Sequence, residues 1–349
     1  MSQATATVSV TAKRTPAETR ALIIRGTSYV LLAVTALWIL YKAFTQPADF
    51  FTVGFLGLKF GALYALVALG YTMVYGIIEL INFSHGDLFM LATVVSGLIM
   101  VSWLARTDPT VTGFLVMIGA LLVAMVLAGS VNTLAERVAY RRLRRAPKLA
   151  PLITAVGLSF IYQSVGIQMN GSGQRNWSTL LGDRSFSLGP VKVQWSVIVV
   201  LTVTIPLLLA MTYLINRTRQ GKAMRATAQD QDAARLMGVD VDRTIAFTFA
   251  LGGALAGAAG MLWLQSIGTT RYDLGFQLGL IAFTSAVLGG IGNLNGAVLG
   301  GFLIGIIQAL NEAFLLGNAW SQTVVFTILI MVMVFKPEGL LGKPTTEKV

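Results

Sequence analysis

The amino-acid sequence predicts an all-α fold, a polytopic transmembrane helical bundle of about 8–10 membrane segments with both termini cytoplasmic. Three observations carry that prediction. The 349 residues are 55% hydrophobic and only 12% charged, with a mean hydropathy of +0.73. A water-soluble globule carries about 25% charged residues. Several apolar runs reach the roughly 20 residues that cross a hydrocarbon core. They are continuously apolar, not alternating as in an outer-membrane barrel.

In chain order, the apolar runs place segments near 27–44, 52–78, 87–104, 111–131, 150–169, 193–215, 244–267, 277–291, 296–316 and 321–335. Polar or proline-marked breaks separate the first five. The eighth is short, so 277–316 reads as two spans or as a re-entrant pair. Residues 1–26 form a basic arm, 27–335 the permeation domain with inner loops 132–149 and 216–243, and 336–349 a tail. Basic residues followed by the run 29–41 look like a signal peptide, but no small-x-small cleavage site follows, so the first helix is expected to be retained.

Charge placement sets the orientation. Nineteen of the 26 Lys and Arg residues fall in the N-terminal arm, the two inner loops and the tail. Ten crossings, or eight with a re-entrant pair, put all four regions on the cytoplasmic face, as the positive-inside bias requires. The formal charge of +11 then reads as a topology signal, and nucleic acid is not an expected partner.

Chemistry is sparse. There are no cysteines and a single histidine, which excludes disulfides, thiolate sites and metal sites built on several imidazoles. No G-x-x-x-x-G-K-[ST] motif occurs: Gly342-Lys343 has Pro337 where the first glycine belongs, and Gly221-Lys222 has Asn216. ATP dependence must come from another chain. The stretch GGIGNLNG (289–296) lacks both the spacing and the strand–helix context of a dinucleotide fingerprint.

Glycines four apart have a packing explanation. Gly292, Gly296 and Gly300 are expected to form one flat helix face, as are Gly252, Ala256 and Gly260 with Gly253 and Gly257 beside them, because small residues let backbones approach closely in lipid. A mobile glycine-rich element lining a passage is the alternative.

The polar break LINFSHGDLFML (80–91) is read as lying near the cytoplasmic boundary. Gly86 permits a helix break, and Asn82 or Ser84 is expected to cap the next helix. Two readings stay open: a capped turn at the membrane surface, or a polar break in which Asn82, Ser84, His85 and Gly86 face the translocation path. A catalytic His85 lacks a nucleophile or second imidazole to work with. Gln308, Asn311 and Glu312 share one helix face at i, i+3 and i+4 and are further path or gate candidates, against an exposed position for Glu312 at an outer helix end. Lys59 is expected to snorkel to the outer interface, and Tyr64, Tyr71 and Tyr75 to pack along one side of the second segment.

The stretch 216–243, NRTRQGKAMRATAQDQDAARLMGVDVDRT, has a helical look, with small and apolar residues flanked by charges. It reads either as a solvated loop or as a docking helix for a soluble partner. Asp232-Ala233-Ala234-x-x-x-Gly238 resembles the E-A-A-x-x-x-G loop through which ABC importer permeases engage their ATPase, with aspartate in place of glutamate and without the Ile-x-Leu-Pro ending. Together with GALYALVALGYTMVYGIIELINFSHGDLFML, AVLGGIGNLNGAVLGG and FKPEGLLG, the chain from about residue 50 to 342 resembles the branched-chain amino acid uptake permeases of ABC transporters.

That resemblance implies a second, homologous permease subunit, two cytoplasmic ATPases, a periplasmic substrate-binding protein and an inner-membrane location. It implies no cofactor on this chain, with ATP and Mg held by the ATPases. It assigns Arg225, Asp232, Ala233, Ala234 and Gly238 to ATPase docking. Outer loops are short except near 170–191, leaving no room for a substrate-binding domain outside. Related permeases carry branched-chain or other amino acids, urea or short amides. An ion-coupled secondary transporter is the mechanistic rival; it calls for acidic pairs in mid-membrane, which the sequence does not display.

Overall fold

The computed structural model describes residues 33–79, 82–103, 109–144, 146–147, 149–182 and 184–342. The N-terminal arm, the start of the first segment, Arg145, Lys148 and the tail beyond Gly342 lie outside the described residues. The chain divides at Phe50. The described part of the first unit holds α1 (Ala33–Thr45) and the opening turn of α2.

The second unit, from Phe51, carries the rest of α2 (Pro47–Ile78), then α3 (His85–Gly97), α4 (Val111–Ala135), α5 (Arg141–Leu143), α6 (Leu149–Asn170), α7 (Trp195–Arg217), α8 (Arg219–Gln229), α9 (Gln231–Leu236), α10 (Val241–Ile267), α11 (Leu274–Gly289), α12 (Leu294–Phe314) and α13 (Ser321–Phe335). The predicted segments therefore recur as helices. Among the described residues eight helices are long and apolar enough to cross a membrane, while α1 and α11 are shorter apolar helices. At 16 residues, α11 spans only about 24 Å.

Two helices run on through π-helical turns: α3 through Leu98–Trp103, and α4 through Glu136–Tyr140 into α5. Residues 132–143, read from sequence as loop, are thus a continuation of a 33-residue helix. Its C-terminal end is held by ion pairs. Arg144 pairs with Glu136 and also, at 2.6 Å, with Asp242 at the start of α10; Arg141 pairs with Asp242 as well.

Burial sorts the helices. In α2, α3 and α10, 72–78% of the apolar window is inside, against 11–28% in α4, α6, α7 and α13. The first three are central; the other four present Leu122, Val126, Phe160, Leu209 and Ile330 outward, the apolar surface a bilayer requires.

Small residues make the close crossings. A Cβ at Gly253 would stand 2.5 Å from Ala128 O and one at Gly257 2.4 Å from Ala124 O, which seats α10 on α4. Gly260 meets Phe89 O of α3 in the same way, at 2.4 Å. Helix α12 has two such seams: Gly296 and Gly300 against α11, Gly301 and Gly305 against α2. Gly292 departs from its expected role. It sits in the α11–α12 turn at φ +86° with open space around it, so it serves a backbone conformation that L side chains rarely adopt, not a packing face. The tail closes on this turn: Leu340 N and Leu341 N donate to Leu288 O and Gly289 O, and Asn293 Nδ2 donates to Leu341 O.

The long α6–α7 loop carries short strands. β1 (Arg175–Asn176) pairs antiparallel with β4 (Thr269–Thr270), and β2 (Ser185–Leu188) with β3 (Val191–Gln194). Trp177 packs beside Gly97, and Leu180 N donates to Gln265 Oε1, so the loop seats on α3 and α10.

Candidate functional site

Three polar assemblies stand out in this apolar bundle. The first is the break before α3. Asn82, Ser84, His85 and Asp87 are each at most 2% exposed, so of the two readings left open the capped turn at the membrane surface is the one that fails: this stretch lies inside the bundle. Asn82 Oδ1 is the hub. It accepts from Ser84 Oγ at 2.6 Å, from Ser84 N at 3.1 Å and from Tyr140 Oη at 2.9 Å. The expected side-chain cap by Ser84 does not form, because its hydroxyl is turned to Asn82. Tyr140 in turn packs on Phe249 of α10.

His85 is wedged where α2 and α10 come closest. A Cβ on Gly70 would stand 2.8 Å from His85 Nε2 and 2.9 Å from Gly252 O. Tyr71 meets the imidazole edge-on at 5.3 Å. Neither ring nitrogen reaches a well-formed hydrogen bond; the Val67 backbone is a polar neighbour. Gly86 is the crossing point with α11: a Cβ there would fall 2.1 Å from Gly275 O. Glycine is required by this contact, not only by the helix break.

One residue later the chain presents Asp87, which the sequence reading left unassigned. Its carboxylate accepts from Ser159 Oγ and, at 3.4 Å, from Gln163 Nε2, both on α6. The signal was present as a serine and a glutamine four apart in an apolar helix, but nothing in sequence links them to a carboxylate more than 70 positions away.

The second assembly joins α2, α12 and α13. Tyr64 Oη donates to Gln308 Oε1 at 2.8 Å, Gln308 Nε2 to Glu312 Oε1 at 2.9 Å, and Ser321 Oγ to the same oxygen at 3.0 Å. Asn311 is fully buried and donates to Gly317 O and Ser321 Oγ. The predicted shared face of Gln308, Asn311 and Glu312 is real, and Glu312 is bonded within the bundle instead of standing free at a helix end. Lys59 also differs from expectation. It is 3% exposed, with Nζ donating to Gln194 Oε1 at 2.9 Å and lying 5.4 Å over the Phe60 ring. The outer loop covers it, so it does not snorkel.

The third is the inner connection. Thr218 caps α8 through Gly221 N, Asp230 caps α9 through Asp232 N and Ala233 N, and Asp240 caps α10 through Arg243 N. Three caps in 23 residues fold this segment into helices instead of a loose loop. Arg225 donates to Ile215 O at the end of α7; it fastens α8 to the bundle. Ala234 is buried, while Asp232 is exposed and pairs with Arg235 at 2.9 Å. Leu236 and Met237 are 89% and 84% exposed. Gly238 ends α9 at φ +82°, with Val239 N returning to Ala234 O, the glycine terminus of a helix. Among the described residues no three His, Asp or Glu side chains are brought together as a metal site.

These features agree with what the chain is similar to. Residues 55–334 match the family described as branched-chain amino acid transport system / permease component. The high-affinity branched-chain amino acid transport system permease protein LivH of Escherichia coli (strain K12) is 39% identical over 302 residues, covering 84% of this chain and 96% of that protein. BraD of Pseudomonas aeruginosa, with the same description, is 39% identical over 301 residues at the same coverage. A probable LivH of Methanocaldococcus jannaschii is 28% identical over 80% of this chain and 89% of its own length. No solved structure matches the chain at a significant level. With the match running from the second helix to the last, this chain belongs to the permease component family of branched-chain amino acid transport systems.

Proposed function

We propose that the chain is the membrane-spanning permease subunit of a binding-protein-dependent ABC importer in the inner membrane, moving branched-chain amino acids inward. ATP is bound and hydrolysed, with Mg, by two separate cytoplasmic subunits, and a periplasmic protein delivers the substrate. A second, homologous permease supplies the other half of the path. Both termini and the α8–α9 segment face the cytoplasm.

The observation that carries this reading is the contrast within α7–α10. Helix α8 is anchored: a Cβ at Gly221 would lie 2.1 Å from Ile215 O, and Arg225 binds the same carbonyl. Helix α9 ends in two adjacent apolar side chains with nothing over them. Leu236 and Met237 on a firmly based short helix form a knob that suits a hydrophobic cleft on a soluble partner. Arg225 then supports docking from behind, by holding α8, while Asp232, Ala233 and Gly238 shape the knob.

Among the described residues the acidic pair inside the bundle that ion-coupled transport calls for is not present. Glu136 is paired with Arg144, Glu312 is bonded to Gln308 and Ser321, and Asp87 is bonded to α6; none pairs with another.

The test is co-purification of the ATPase subunits with the permease. Leu236→Asp with Met237→Asp should abolish recovery of the ATPases while membrane insertion and thermal stability stay unchanged. Undiminished recovery would show that α9 is not the docking element.

A further inference from the structure

The transport reading leaves open which group on this chain meets the charged end of the cargo. We infer that Asp87 supplies the counter-charge for the ammonium group of the amino acid as it crosses the middle of the membrane, reached through a polar window formed by Ser159 and Gln163. This rests on the proposed transport function and names a binding group within it.

Depth is the first argument. Ser159 and Gln163 lie 10 and 14 residues into the 22-residue α6, about 15 and 21 Å along an axis of about 33 Å. The carboxylate they hold is therefore far from either end of that helix.

Charge is the second. Asp87 is 0% exposed. Its hydrogen-bond donors are a hydroxyl and an amide, both neutral, and Tyr71 and Tyr162, which lie near it, are neutral too. Among the described residues every ion pair made by a lysine or arginine lies elsewhere. A carboxylate at this depth costs about 2.5–3.5 kcal/mol on insertion scales, and an amide side chain would tie α3 to α6 without that cost. A carboxylate offers roughly four acceptor sites, of which two are used here. The remainder suits an ammonium group, which brings three donors.

Access is the third argument. Helix α6 is peripheral, and most of its outward surface is apolar, with Ile153, Phe160 and Ile161 exposed. Gln163 is only half-buried; its Nε2 is turned inward to Asp87 and Ser159, which leaves its carbonyl oxygen at mid-depth on a face where lipid would leave it unsatisfied. A water-filled path between two permease subunits satisfies it. The start of α11 crosses beside the carboxylate, where a Cβ on Gly275 would stand 2.7 Å from Asp87 Oδ1. A Cβ there would also meet Asp87 Cα and Gly86 O at 2.6 Å, so glycine keeps the two backbones in contact beside the carboxylate.

The experiment uses the whole transporter in proteoliposomes, with leucine as the probe. Uptake and ATP hydrolysis stimulated by leucine-loaded binding protein are both measured. Asp87→Asn should lower uptake by about tenfold or more, the loss expected when a charge-assisted hydrogen bond becomes a neutral one, while stimulated ATP hydrolysis persists. Asp87→Glu should recover part of the uptake. Gln163→Lys places a tethered ammonium at the window and should block uptake, whereas Gln163→Met, which only removes the amide and its bond to Asp87, should lower uptake without blocking it. This second pair decides the matter should Asp87→Asn fail to assemble. Wild-type uptake by Asp87→Asn, or equal uptake by the Lys and Met variants, overturns the inference alone. Absence of leucine uptake by the wild-type complex would instead overturn the transport reading beneath it.

Discussion

Replacing Gly300 with alanine adds one methyl group to the seam between α11 and α12. That Cβ would lie 2.0 Å from Ser285 O and 2.9 Å from Gly289 N. Ordinary contact begins near 3.4 Å, so the seam is short by about 1.4 Å. Both obstructing atoms are backbone, and no rotamer change relieves them. The helices must separate, and a gap of 0.5–1 Å forfeits about a quarter to a half of each dispersion contact along the seam. Gly289 and Gly296, which face each other one turn away, lose contact with it. In lipid no hydrophobic drive compensates, so the cost falls at the upper end of overpacking, about 3 kcal/mol. Gly119 is the control. It lies on the exposed face of α4 with nothing within 4 Å of a Cβ, and alanine there should stabilise by roughly 0.5–1 kcal/mol through helix propensity. Equilibrium unfolding in mixed micelles, followed by circular dichroism, compares the two. Equal stability of Gly300→Ala and Gly119→Ala would refute the packing argument.

Other substitutions probe the buried polar groups. Lys59→Met keeps most of the volume but removes the donor to Gln194, and should cost about 1–2 kcal/mol in thermal unfolding; a neutral result would return Lys59 to the water interface. Arg144→Ala strips the partner from Glu136, which is 1% exposed, and should destabilise by about 3–5 kcal/mol. Arg141→Ala breaks a pair that is 44% and 41% exposed, and should cost far less than Arg144→Ala in the same assay. Tyr140→Phe removes one of three donors to Asn82 Oδ1 and should cost about 1 kcal/mol.

The helical bundle was legible because apolar runs of spanning length state their own secondary structure; the predicted segments fall on helices, though the one at 111–131 runs on to Leu143 because its polar, basic end does not read as apolar. Seams were legible where glycines repeat inside a helix, as at Gly252, Gly253, Gly257 and Gly260. The same spacing misled at Gly292, because periodicity does not say where a helix begins; Asn293 caps α12 one residue later. Depth was the harder quantity. Asn82 to Asp87 looks like a surface turn by polarity, yet the partners that bury it, Tyr140, Gly252, Ser159 and Gly275, come from four other elements. Lys59 was misplaced for the same reason: Gln194, its acceptor, lies 135 positions away. The stretch 216–243 was readable as helical from its small residues, but the exposed Leu236 and Met237 emerge only once Ala234 is seen to face inward.

The central claim is that this chain conducts substrate without energising it. Reconstitution of the purified chain alone, and then with its permease partner, ATPases and binding protein, tests that claim most directly. The account predicts leucine accumulation only in the full complex with ATP and loaded binding protein. Accumulation by the chain alone under a proton or sodium gradient would contradict it.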